Sequence, residues 1–262
     1  MENQEADVPH APVPVQGEAP QMSEAATIGN IFFEPGGTFE DLRRKPRLML
    51  ATIIVSLLMT AYGFALYYKV GDTGMRAFMI EQIEKSPQGG SMNAEQKESA
   101  ISLQLTIATA ARYGSPLLFA FIIIVGGLLY WGAAKAVGGT GRFLHGWSVF
   151  VYSMLPPTVV STIANFLVLA FKSAAEIDLA TSQRGVIQAN PAMLLDGKSS
   201  PVLATLVGTL DLFMIWGWIL AAIGLRITNR ISSGSAWAIV VIFALLGIMF
   251  RVIGAFFSGN PT

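Results

Sequence analysis

Leu48–Tyr68 runs without a single charged side chain, and four basic residues, Arg43, Arg44, Lys45 and Arg47, stand immediately before it. An apolar run of about 20 residues makes a helix long enough to cross roughly 30 Å of hydrocarbon. The basic cluster resists translocation, so it places the N-terminus in the cytoplasm and sets the direction of every later crossing. Just upstream, Pro35-Gly36-Gly37 breaks the chain, and Thr38 stands three residues ahead of Asp41 as a capping-box-like helix start. Phe32, Phe33, Phe39 and Leu42 are apolar among charges, which predicts a short interfacial helix at headgroup level. A plain juxtamembrane linker with stop-transfer charges would account for part of the same pattern.

Composition narrows the class. The chain has 262 residues, 53% hydrophobic and 13% charged, and a mean hydropathy of +0.54, too apolar for a domain with a solvated surface. Basic and acidic residues balance at 17 each, where a nucleic-acid-binding protein would show a basic excess. There is no cysteine, so disulfides, thiol nucleophiles and cysteine-ligated metals are excluded. The two histidines, His10 and His145, cannot make a histidine metal cluster, and no cofactor is expected. The first apolar run is too long for a signal-peptide core and is expected to be retained.

The expected fold class is all-α: a polytopic membrane protein of five transmembrane helices, with an N-terminal interfacial helix and an outer helical hairpin. Residues 1–29 are read as a disordered, acidic and Pro-rich tail. Residues 30–258 form the membrane domain, with spans near 48–68, 116–136, 146–171, 202–225 and 236–257. Tyr62, Tyr67 and Tyr68 gather at the far end of the first span, as interfacial aromatics do. Beyond it, Met75, Phe78, Met79 and Ile83 repeat at helical spacing and predict a short amphipathic helix on the membrane surface. Pro87-Gln88-Gly89-Gly90 ends that helix, and a second begins near Asn93, completing the hairpin. Glu81, Glu84, Glu95 and Glu98 read as a solvated face rather than a metal or acid–base site.

Gly132 and Ala136 form a small-xxx-small pair suited to close helix approach in the second span. Gly138-Gly139-Thr140-Gly141 lacks the spacing of a phosphate-binding loop and reads as a tight turn. Pro156-Pro157 interrupts the third span, where Ser153, Ser161 and Asn165 share a stripe with Pro157 and so face protein. That pattern predicts a structural kink, with a substrate pathway as the alternative. Asn190-Pro191 and Asp196-Gly197 mark turns in an irregular loop.

Basic residues crowd beside the span ends on the first side and are diluted over long loops on the other, and Trp131, Trp147 and Trp237 fall at the inner interface. Five crossings then leave the C-terminus outside the cytoplasmic (inner) membrane. Asp211 and Arg251 lie inside the fourth and fifth spans at equal distance from Ile231, so an ion pair is expected between them. A protonatable relay or ion ligand at Asp211 is the functional alternative.

FFEPGGTFEDLRRKPR before the first span, together with DLFMIWGWILAAIGL at 211–225, resembles the bacterial branch of the Yip-type (Ypt/Rab-interacting) domain family. That resemblance implies a five-span domain with a cytoplasmic N-terminus. Eukaryotic relatives engage prenylated small GTPases, but the Asp-Leu-Tyr-Gly-Pro signature of that branch is absent, so a GTPase partner does not carry over. The expected role is a non-catalytic membrane scaffold or adaptor. Its partners are the lipid bilayer and an unidentified membrane or cytoplasmic protein, with no nucleic acid and the oligomeric state left open. The alternative is a small transporter, channel or lipid-moving protein using Asp211, Arg251 and Asn165. A lone intramembrane aspartate without a nucleophile motif argues against an enzyme.

Overall fold

The computed structural model describes residues 20–86, 89–182, 185–187, 189–195, 197 and 199–261. Nine α-helices follow in order among them: α1 Glu24–Asn30, α2 Pro35–Arg44, α3 Met49–Lys85, α4 Ala94–Ala136, α5 Phe143–Phe171, α6 Leu179–Ser182, α7 Pro201–Gly208, α8 Leu212–Asn229 and α9 Ser233–Ser258. Five of them, α3, α4, α5, α8 and α9, are long and apolar enough to cross a membrane. The protein is an all-α, multi-pass membrane protein, as its hydropathy pattern requires.

Four expected boundaries shift, each for a local reason. The tail does not extend to residue 29, because Ser23 accepts from the Ala26 N–H and caps α1; residues 1–19 lie outside the described residues. Thr38 is not a cap, since α2 already begins at Pro35, which needs no partner for an N–H it lacks. Thr38 is buried instead, and its hydroxyl donates to Glu34 O at 2.9 Å.

The hairpin is not a separate surface structure. α3 continues beyond the first span as far as Lys85, interrupted only at Gly71, whose φ of 68° breaks the helical geometry. A glycine reaches that left-handed φ without steric cost. The stripe expected to lie on the membrane packs on protein: Phe78 joins Tyr62, Leu66, Leu169 and Leu179 in a second apolar cluster. Asn93 caps α4 in a reciprocal capping box with Gln96. From there α4 runs unbroken through Pro116 to Ala136. Pro87 and Gln88, between the two helices, lie outside the described residues, as does Asp196. The hairpin carboxylates do make a solvated face, where Glu98 pairs with Arg76 and Glu81 with Lys85.

The fourth boundary is the most consequential. The apolar run 202–225 is two helices, α7 and α8, because Asp211 starts a new helix within it. Its carboxylate accepts from the N–H groups of Phe213 and Met214, and Leu212 N–H bonds Ala189 O at 3.1 Å. The fourth crossing is therefore α8, and Asp211 stands at its end rather than in its middle.

Close packing is concentrated where α4 meets α5. A Cβ on Gly127 would come within 2.5 Å of Trp147 Cα, and one on Gly146 within 2.4 Å of Gly127 O. Gly132, expected to make such a contact, has nothing within 4 Å. α5 passes through Pro156 and Pro157 as one helix, both prolines buried. The turn after α4 is the tight turn expected, closed by Gly139 N–H to Ala134 O and by Thr140 N–H to Asn229 O.

Candidate functional site

The bundle has two distinct ends. At one, α1 and α2 are folded onto the helices. Phe39 and Leu42 are fully buried and share a core with Val149, Tyr152, Leu155 and Leu225. Gly224 makes room for the Phe39 ring, which a Cβ there would meet at 2.8 Å. Phe32 packs edge-on against Trp216 at 6.4 Å, while Phe33 is left 89% exposed. The expected interfacial helix thus turns its apolar face to protein and presents only Phe33.

Asp41 and Arg47 lock this end. The guanidinium pairs with the Asp41 carboxylate, donates to Met22 O, and reaches Thr27 Oγ1 at 3.2 Å. The same carboxylate accepts the N–H groups of Gln21 at 2.5 Å and Met22 at 3.3 Å. Burial works against the Asp41 charge, but Arg47 and these two N–H groups outweigh it and hold the carboxyl below its ordinary 3.8. Arg47 is therefore a structural partner, not simply one charge in a topology cluster. Of the others, Arg43 pairs with Glu40, and Lys45 is exposed. Glu40 is held low, foremost by its hydrogen bond from Arg43. His145 ties the end to α5: its Nδ1 accepts from Arg142 N–H, so Nε2–H donates to Arg43 O at 3.0 Å.

The other end holds a chamber of about 970 Å³. Its floor brings together Asn165, Asp211 and Arg251 with Ser161 of α5 and Asn190 of the loop. Asp211 and Arg251 line one space but are not bonded to each other, so the expected ion pair is not formed. Asp211 is engaged as a helix cap and accepts from Asn190 Nδ2 at 3.1 Å, whereas Arg251 Nη1 lies 3.6 Å from Met214 Sδ. Asn165 is a strap: its Nδ2 donates to Ser161 O, and its Oδ1 accepts the Ile187 N–H from across the loop. The stripe of Ser153, Pro157, Ser161 and Asn165 faces protein as expected, and Pro156 and Pro157 contribute packing rather than a lining. The hairpin supplies one wall, where Phe78, Met79, Ile83 and Ile107 stand beside the polar Gln82 and Gln104, and the loop before α7 and α7 itself supply another.

Sequence reasoning missed Gln21, Met22, Thr27, Asn190 and Tyr62, whose hydroxyl donates to Ser182 O at 2.5 Å. These contacts join residues remote in the chain. Only the Asn190-Pro191 turn and the aromatic group that includes Tyr62 carried a local signal.

A bundle of five crossings, an N-terminal helix seated across one end and a hairpin rising from the other define a small polytopic membrane domain. The chain belongs to the Yip1 domain family, whose model matches residues 29–255. It is similar to the membrane protein YknW of Bacillus subtilis, with 24% identity over 250 residues, covering 94% of this chain and 95% of that protein. No solved structure shows a significant match.

Proposed function

We propose that this chain is a non-catalytic scaffold or adaptor of the cytoplasmic membrane, with its N-terminus inside, its C-terminus outside, and α1–α2 offered to a protein partner. The observation that carries the reading is the solid α2 end. Ile31, Phe39, Tyr152 and Leu225 are all fully buried there, and the buried Asp41–Arg47 pair ties the plate to the start of α3. A rigid plate with one projecting aromatic, Phe33, suits recognition more than passage. Transport is the second reading, favoured by a chamber that reaches Asp211, Asn165 and Arg251. It would need the packed α2 end to open.

Purified protein in liposomes decides between them when lipid scrambling and solute leakage are measured together. The scaffold reading expects both at the level of protein-free vesicles, and a photo-crosslinker at Phe33 yielding one discrete adduct in cells. Scrambling or leakage that tracks protein density would make transport the better account.

A further inference from the structure

The turn between α1 and α2 lies deeper than the basic cluster that follows it. Residues 48–68 are free of charge, and at about 1.5 Å each they match one hydrocarbon thickness of roughly 30 Å. The hydrocarbon on this side therefore begins at Arg47, whose carbonyl accepts from Ser148 Oγ of α5 at 3.4 Å. Residues of α5 that follow Ser148 are inside the bilayer, and the turn stands beside them. Phe32 meets Trp216 at 6.4 Å, and a Cβ on the adjoining Gly217 would be 3.4 Å from Ser153 O and 3.8 Å from Pro157 Cγ. Ser153 and Pro157 come five and nine residues after Ser148, which puts the turn roughly 8–13 Å inside the hydrocarbon edge. The same depth follows along α8. Trp216 precedes Gly224, where the Phe39 ring sits, by eight residues, or about 12 Å. Beyond Phe39 the chain returns to the edge, where Arg43 O accepts from His145 Nε2 at 3.0 Å.

The turn is built for that depth. The N–H groups of Ile31, Phe32, Phe33 and Glu34 all donate to carbonyls of Thr27, Gly29 and Asn30, and Pro35 has no N–H, as hydrocarbon requires of irregular backbone. Between Ala25 and Phe39 the one ionisable side chain is Glu34. Its Oε1 folds over the first turn of α2, 2.9 Å from where a Cβ on Gly37 would stand, and a helix N-terminus favours a negative charge there. Phe33, at the tip, is 89% exposed. We infer that the turn 31–35 enters the leaflet on the side of the basic cluster as a re-entrant wedge, with Phe33 among the lipid acyl chains. Insertion needs no protein partner, so this inference stands apart from the scaffold reading; where both hold, the partner that meets Phe33 lies within the membrane.

The chain has no cysteine, so Phe33→Cys and Lys45→Cys each give a single thiol, one at the tip and one at the exposed end of α2. Both side chains are exposed, and the substitutions leave the packed face intact. The thiols are labelled with nitrobenzoxadiazole on the full chain in phosphatidylcholine–phosphatidylglycerol nanodiscs, whose lipids carry a nitroxide either on the headgroup or at mid-chain. The label at Phe33→Cys should be quenched more by the mid-chain nitroxide, and the label at Lys45→Cys more by the headgroup one. A charged methanethiosulfonate on the unlabelled variants gives a second measurement free of the dye. It should react at Phe33→Cys about tenfold more slowly than at Lys45→Cys, since the reactive thiolate is scarce in apolar surroundings. Stronger headgroup quenching at position 33, quenching there by neither nitroxide, or equal thiol rates would each overturn the inference. A crosslink from position 33 to a soluble protein in cells would support the scaffold reading while overturning insertion.

Discussion

Arg47 reaches back six positions, across the break between α2 and α3, to pair with Asp41 in a site where the two side chains are 9% and 2% exposed. The pair connects the first crossing to the N-terminal plate, and through Gln21 and Met22 it also holds the segment before α1. Breaking a buried pair from one side leaves an uncompensated charge, which costs about 3–5 kcal/mol. Asp41→Ala should therefore lower the detergent thermal midpoint markedly. The Asp41→Ala/Arg47→Ala double variant should recover part of the loss, which a thermal-shift series on all three proteins will show.

The same pair makes docking of the N-terminal segment acid-sensitive. The Asp41 carboxyl is held below its ordinary 3.8 in the fold. Its contribution is thus fully present above that value and is lost as the pH falls through the lower, folded pKa. Limited proteolysis should find residues 20–30 equally protected from neutral pH down to about 3.8, and progressively cleaved below it. In Asp41→Asn the acid-dependent step should be absent.

Asp211 is a cap rather than an ion-pair partner, and the two roles respond differently to an amide. Asparagine caps a helix as well as aspartate does, whereas alanine loses about 1–2 kcal/mol. Asp211→Asn should unfold close to the parent protein, while Asp211→Ala should be destabilised and should loosen the loop at Asn190. A thermal midpoint for Asp211→Asn as low as that for Asp211→Ala would restore the ion-pair account.

The α4–α5 seam depends on Gly127 and Gly146 and not on Gly132. A methyl at Gly127 meets backbone of the neighbouring helix, which cannot swing aside, so Gly127→Ala should cost about 1–3 kcal/mol. Gly132→Ala, with open space around it, should be neutral or slightly stabilising. Comparing melting curves of the two variants checks the assignment directly.

What was legible in the sequence is what lipid dictates. Apolar length alone marks the five crossings, and Asn93 announces the start of α4. Tertiary choices were hidden. The Phe39–Leu42 face of α2 has the same periodicity whether it meets lipid or Gly224 and Val149. The two helices of 202–225 read as one span because hydropathy is indifferent to a cap, and Asp211 inside the run looked like a buried charge. Small-residue spacing marked Gly132 as readily as Gly127, since only the position of Trp147 separates them. The floor residues Asp211, Arg251 and Asn165 were recognisable as unusual polar groups. Their meeting in one chamber depends on the loop holding Asn190 and Ile187, whose fold is set by contacts far along the chain.

The account rests on five crossings that begin in the cytoplasm. A reporter that fluoresces only in the cytosol, fused after Thr262, should be dark, while the same reporter fused after Arg230, four crossings in, should be bright. Bright cells from the Thr262 fusion would contradict the topology and place the chamber on the wrong side of the membrane.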